Sequence, residues 1–339
     1  MKTFLKIILA LAIVLAIVYI AGPKAKVQAL EGEYTEVPSD PLQLEVFIQN
    51  IEDTVSQLKI GNEAKIIWAD SLLKGKTPYS IVYIHGFGAS QMEGDPVHRK
   101  IAEHFHANLY VVRLPEHGID RPNGMEYLSA QLLTDAVRQA YMIGKSLGDE
   151  VIVIGTSMGG ALSLLLASER PDMKALVVYS PAIREYGEAL QQFFNPWAKF
   201  LASNFVMENG VRTVKRDGDK AKYWSETYHV NGYEALAVLL RSKMVPETFQ
   251  AIKTPVFLGY FYKNDSIQDF VVSVPKMQEM FQQLGTPNSF KREMAFPETG
   301  DHVIASSITS QDWETVLEQT IDFLENVVNL KALQEVEIE

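Results

Sequence analysis

The sequence predicts an α/β protein: a mostly parallel sheet, covered on both faces by helices, with a long insertion late in the chain. Three observations predict it. Short apolar runs alternate with longer helical patterns. Several runs are apolar throughout, as strands buried on both faces are. One run leads through Gly155-Thr156-Ser157-Met158-Gly159 straight into a helical pattern.

The first 22 residues, MKTFLKIILALAIVLAIVYIAG, form a unit of their own. Lys2 and Lys6 precede an unbroken apolar run from Ile7 to Ala21. As a helix, Phe4 to Gly22 would extend about 28 Å, close to the roughly 30 Å of a bilayer core. Residues 1–22 are therefore expected to be a membrane anchor or a signal segment. The anchor is favoured, because the small-residue site Val27-Gln28-Ala29 lies well beyond the apolar run, past Pro23, Lys24 and Lys26. The rest of the chain is then expected outside the cytoplasm; cleavage would instead release a secreted protein.

Residues 23–40 read as a polar linker. From Pro41, Leu44, Phe47, Ile48, Ile51, Val55 and Leu58 keep helical spacing, with Asp40 as cap and Gly61-Asn62 as stop. Strands are expected at 66–69, 80–84, 109–114, 151–154, 175–179, 256–262 and 291–296. Helices are expected near 96–106, 126–147, 158–168, 275–284 and 311–328. Residues 41–339 thus form one domain, interrupted at about 182–250 by a helical or irregular insertion rich in large aromatics. Such a long insertion suits a cap over a site as well as an extra layer with its own core.

Composition narrows the chemistry. With 31 Lys and Arg against 42 Asp and Glu, the net charge of −11 argues against nucleic acid. The chain has no cysteine, so disulfides, thiolate catalysis and Cys-ligated zinc are excluded. No H-E-x-x-H pattern calls for a metal, and no cofactor is expected.

The strand–G-x-S-x-G–helix context lifts a serine hydroxyl clear of a sheet at a helix N-terminus. Ser157 is accordingly the candidate nucleophile. A serine needs a base, and the base an orienting acid. Of seven histidines, His302 fits best, on a loop between the last strand and the last helix. His98, His104 and His106 fall on a surface helix and are expected to be solvated, and His229 is expected to be structural. His85-Gly86-Phe87-Gly88 follows a strand in a turn that exposes backbone N–H groups, making Phe87 and Met158 the candidate oxyanion donors. His85 is expected to brace that loop.

These residues resemble the α/β-hydrolase superfamily in its serine esterase and lipase branch, monoacylglycerol-lipase-like or carboxylesterase-like. The resemblance rests on His85-Gly86-Phe87-Gly88, Gly155 to Gly160 and Gly300-Asp301-His302-Val303, and spans roughly residues 65–328. It implies a cap after the sixth strand, an acid after the seventh, and hydrolysis of a small-molecule carboxylic ester. Other acyl-transfer uses stay open: peptidase, thioesterase, acyltransferase or carbon–carbon hydrolase, and less readily a non-catalytic binding module. The match loosens at the acid. Asp265 fits counting forward from the strand, and Asp269 fits counting back from the helix. Asp269 is favoured, with Asp265 the alternative and Asp301 less suited because it adjoins His302. Cap aromatics facing the pocket are expected to favour an acyl chain over a charged group.

Overall fold

The computed structural model describes residues 2–332. An exposed helix α1 (Lys2–Ile20) leads the chain, and α2 (Pro41–Asp53) follows an extended segment. Then come β1 (Lys65–Ile67), β2 (Thr77–Ile84), α3 (Val97–His104), β3 (Asn108–Val111), α4 (Ala130–Leu147), β4 (Gly148–Thr156), α5 (Met158–Glu169) and β5 (Ala175–Tyr179). The insertion carries α6 (Ala198–Leu201), β6 (Val211–Thr213), α7 (Gly218–Tyr223), β7 (Thr227–His229), α8 (Val230–Lys243) and α9 (Pro246–Ala251). The chain returns through β8 (Val256–Tyr260), a small hairpin of β9 (Tyr262–Asn264) and β10 (Ile267–Gln268), α10 (Val274–Gln283), β11 (Lys291–Ala295) and α11 (Trp313–Asn326).

Seven strands form the central sheet in the order β1-β3-β2-β4-β5-β8-β11. Only the β1–β3 pair is antiparallel. Alternate strand residues feed opposite cores. Val82, Ile84, Val153 and Val178 pack with α4, α5 and α8, while Ile81, Tyr83, Ile154 and Val177 pack with α3 and α11. Both faces are covered, which is why β5 and β8 are buried at every position.

Three expectations need correction. The helix begun at Pro41 stops at Asp53, not near Gly61: the Thr54 hydroxyl donates to the Ile51 carbonyl, and Gln57 turns to a left-handed φ of 60°. The insertion follows the fifth strand of this sheet rather than the sixth, and the segment after β8 follows the sixth rather than the seventh. It is also not purely helical, because β6 and β7 pair as an antiparallel hairpin. That hairpin is short and mostly outside the core, so it lacks the buried apolar run that marks a sheet strand.

Residues 21–40 carry no helix or strand, yet the first half is strapped to the body. The Ala25 N–H donates to the Phe193 carbonyl, and Arg138 Nη2 donates to the Leu30 carbonyl. Leu30 is buried.

Candidate active site

The strand-to-helix turn after β4 decides the local geometry. Ser157 holds φ 54° and ψ −119°, a left-handed conformation that costs a non-glycine residue energy. Its neighbours make the turn possible. A Cβ on Gly159 would lie 2.0 Å from the Ile84 carbonyl oxygen, and one on Gly155 would lie 2.3 Å from Ser163 Oγ. Glycine is therefore required on both sides for the elbow to pack against β2 and α5. The strained turn is held by Ser157 N–H to the Tyr179 carbonyl at 2.9 Å and by Ala182 N–H to the Ser157 carbonyl at 2.9 Å.

His302 arrives on the loop after β11, and Asp269 on the turn before α10. Their side chains meet with Nδ1 and Oδ2 2.5 Å apart. Asp269 is fixed further by N–H groups of Val271 and Val272, both donating to Oδ1 at 2.8 and 3.0 Å. Burial works to raise the Asp269 carboxyl, but the His302 charge and these bonds outweigh it and hold it below its ordinary value. Burial likewise works to lower His302, and the Asp269 carboxylate outweighs it, leaving the imidazole above its ordinary value. His302 Nε2 is buried and has no hydrogen-bond partner among the described residues. Asp265 sits at the exposed tip of the β9–β10 hairpin, where it accepts from the Tyr262 hydroxyl at 2.9 Å. The hairpin accounts for the residues that separate the two aspartates in sequence. Asp301 makes no hydrogen bond to the imidazole among the described residues; its carboxylate accepts from Val303 N–H at 2.9 Å.

Ser157, His302, Phe87 and Met158 line one cavity of about 510 Å³ beneath the insertion. The Phe87 and Met158 N–H groups donate to no group among the described residues. His85 braces their loop: Nδ1–H donates to the Gly86 carbonyl at 2.9 Å, and Nε2 accepts from Leu114 N–H at 3.1 Å. Burial pushes its pKa down to about 3, so it is a neutral strut.

Sequence reasoning missed Glu93. Its carboxyl is buried in the cavity wall and accepts from Gly86 N–H at 2.5 Å. Burial pushes it up to about 8, against the pull of Gly86 N–H and the His302 charge. Nothing in a lone Met-Glu-Gly marked it, because its burial depends on β2 and the elbow packing around it. His98 is also corrected: it is buried rather than solvated, packs edge-to-face against Tyr83 with ring centroids 4.5 Å apart, and bonds the Gln91 carbonyl. His104 is exposed as expected and pairs with Glu325, while His106 lies beyond the end of α3. His229 caps α8, accepting from Asn231 N–H.

The cap lining differs from expectation. Of its large aromatics, only Trp224 and Tyr233 line the cavity among the described residues; Phe193 and Tyr228 are spent on cap packing, and Tyr186, Phe200 and Phe205 face outward. Leu190, Leu236 and Leu240 supply the apolar wall. Arg212, Arg216 and Lys220 also line it, so the cap does not exclude charge.

Residues 81–316, more than half of the chain, match the family model described as Alpha/beta hydrolase family. The chain belongs to the alpha/beta hydrolase family. Among solved structures, it is similar to a metagenome-derived enzyme of the LipS and LipT lipolytic pair (20% identity, TM-score 0.61), covering 79% of this chain and 99% of that one. A Paleococcus ferrophilus monoacylglycerol lipase follows at 15% identity and TM-score 0.56, with 79% and 98% covered. A soluble variant of Saccharomyces cerevisiae monoglyceride lipase, in complex with a substrate analogue, gives 14% identity and TM-score 0.57, with 80% and 92% covered. No curated protein matches. At such identities the neighbours establish the fold; family and fold together support a hydrolase.

Proposed function

We propose that this alpha/beta hydrolase is a serine hydrolase of carboxylic esters, acting through an acyl-enzyme on Ser157. The observation that carries the reading is the 2.5 Å Asp269–His302 contact in the same cavity as a serine held on a strained elbow. In this mechanism Ser157 Oγ attacks the ester carbonyl while His302 Nε2 takes its proton. Asp269 fixes the Nδ1–H tautomer and stabilises the imidazolium that forms. Backbone N–H groups of Phe87 and Met158 bind the developing oxyanion, helped by the N-terminus of α5. The imidazolium then protonates the leaving alcohol. Water, activated by the same imidazole, releases the acid and restores the serine.

Leu190, Leu236 and Leu240 support an apolar acyl chain, because each buried methylene contributes about 0.8 kcal/mol. The lipases among the structural neighbours share the scaffold on which this chemistry would sit.

The N-terminal helix α1 is 19 residues long, apolar and wholly exposed. It is long enough to serve as a membrane anchor or a signal sequence. We assign it as an anchor that holds the hydrolase domain at the extracytoplasmic surface. Its C-terminal end lies against the cap, where Trp197 Nε1–H donates to the Val18 carbonyl at 3.1 Å. Cell fractionation with N-terminal sequencing tests this: an anchor keeps residue 1 or 2 in the membrane fraction, whereas a soluble product starting near Leu30 contradicts it. For the chemistry, Ser157→Ala is expected to cut ester turnover by on the order of 10³-fold or more with the fold intact. Near-normal turnover would contradict the mechanism.

A further inference from the structure

The cap segment between β6 and α7 turns positive charge toward the cavity in a chain whose net charge is −11. Among the described residues, most arginines elsewhere are matched with acids, among them Arg99 with Asp95, Arg113 with Glu52, Arg138 with Glu169 and Arg170 with Asp172; Arg241, which bonds the Gln191 amide, is not. The Arg212 and Arg216 side chains line the cavity and form no ion pair with a carboxylate among the described residues, although the Glu226 carboxylate accepts the backbone N–H of Arg216 at 3.0 Å. Arg216 is nevertheless held in place. Its Nε–H donates to the Ser225 carbonyl at 2.9 Å and its Nη2 to the Tyr228 hydroxyl at 2.9 Å, both neutral acceptors that orient the guanidinium without cancelling its charge. Arg212 lies opposite Tyr228 in the β6–β7 pair and beside the Tyr233 hydroxyl.

The acids that share the cavity are committed elsewhere. Glu185 accepts the N–H groups of Leu190 and Gln191 at 2.8 and 3.2 Å. Asp301 faces Lys220 at 3.7 Å. Glu93 is tied to Gly86 and held largely protonated near neutral pH. Two like charges in one partly enclosed cavity repel, and an anion between them removes that cost while gaining planar, bidentate bonds. The cations come from the β6–α7 segment; the apolar wall comes from α8 and the segment ahead of α6. The two linings therefore belong to different elements.

Resting on the serine hydrolase reading, we propose that Arg212 and Arg216 form an anion subsite. The preferred substrate is an ester with an apolar acyl chain on Ser157's leucine-lined side and a carboxylate or phosphate on its alcohol. The cap hairpin that bears Arg212 also docks on the oxyanion loop, through Ser225 N–H to the Gly88 carbonyl at 2.7 Å, so an anion bound there sits next to the reacting carbonyl's donors.

The test compares three esters of one acyl chain on the full-length protein: 1-octanoylglycerol, 1-octanoylglycerol 3-phosphate and the octanoyl ester of glyceric acid. At least one of the two anionic esters is expected to exceed the neutral one in kcat/KM by about tenfold or more, the size of one charge-assisted pair. Whichever exceeds it identifies phosphate or carboxylate as the partner. The ratio is expected to collapse toward one in Arg212→Gln/Arg216→Gln. Because Arg216 also braces the cap, the exposed Arg212→Gln alone serves as a second variant, with a partial fall in the ratio. An anionic-to-neutral ratio at or below one in the wild type overturns the subsite, as does a ratio that both variants leave unchanged. If the neutral ester is cleaved and a fluorophosphonate labels Ser157 in that case, only the subsite falls. If no ester is cleaved and no label is taken up, the serine hydrolase reading fails and the subsite fails with it.

Discussion

The sheet side and the cap side of the cavity were written into the chain by different means. On the sheet side, backbone geometry dictates the residues: a glycine at which any Cβ would lie 2.0 Å from a β2 carbonyl oxygen, a serine forced to positive φ, a loop braced by a buried histidine. On the cap side, no backbone constraint selects Leu236 or Arg216; only the direction in which each side chain packs does. The difference teaches that the reacting half of such a site is carried by local motifs, whereas the half that selects substrate is a property of tertiary packing. It also implies unequal sensitivity. Substitutions on the sheet side should abolish chemistry, and those on the cap side should alter preference.

The largest effect expected is at the base. His302→Ala should cost as much as Ser157→Ala, and the double variant should be no worse than either, since groups acting as one unit are not additive. Steady-state turnover of the three variants checks this; clearly additive losses would show that the two side chains do not act together.

Asp269→Asn comes next, with a loss on the order of 10²- to 10⁴-fold, while Asp265→Asn stays within about twofold. The pH profile separates orientation from mere folding. His302 titrates above its ordinary value of 6.5 because of the Asp269 carboxylate, and it must be neutral to accept a proton. Activity should therefore rise with pH through a limb above 6.5 in the wild type. In Asp269→Asn the residual activity should show that limb at lower pH. An unmoved limb would separate Asp269 from the titrating imidazole.

Glu93 gives an intermediate effect, read on stability. Its folded pKa of about 8 lies above its ordinary 4.5, so the folded state binds that proton more tightly than the unfolded chain does. Stability from this group is fully present below 4.5 and is lost as pH rises toward 8. Glu93→Gln carries no such titration, and should gain on the wild type over that window by at most a few kcal/mol, at about 1.4 kcal/mol per unit. Melting curves of both proteins at either end of the window decide it; parallel pH dependence would contradict the burial of an ionisable carboxyl there.

The smallest effect is expected from the cap leucines. Pentanoate esters, with three more methylenes than acetate esters, should exceed them in kcat/KM by between about ten- and a hundredfold, with Leu240→Ala narrowing the gap several-fold. A steady fall from acetate to decanoate in the wild type would show a short, blocked pocket.

How much of this was legible follows from the same contrast. The inner sheet strands were readable because a doubly covered sheet demands apolar runs, as at Ala175–Tyr179 and Val256–Tyr260; the edge strands β1 and β11, only partly buried, carry charged residues and were placed by the alternation with helices. The elbow and the His302 loop were readable because glycine and strand context mark them. The β6–β7 hairpin was not, since three-residue strands outside the core leave no periodicity to detect. Glu93 and the cap arginines were equally silent. A buried carboxyl and a surface carboxyl look alike in sequence, and Arg212, Arg216 and Lys220, although spaced every four residues, fall on a strand, a loop and a helix rather than one helical face. The large aromatics of the cap were visible, but their directions were not, and several of them turned out to hold the cap together or to face outward.

The most direct test of the central claim is to treat the protein with a fluorophosphonate, digest it and locate the adduct by mass spectrometry. The account predicts one stoichiometric adduct, on the peptide containing Ser157, that is absent in Ser157→Ala and greatly slowed in His302→Ala. An unlabelled Ser157, or an adduct on another serine that survives Ser157→Ala, would contradict it.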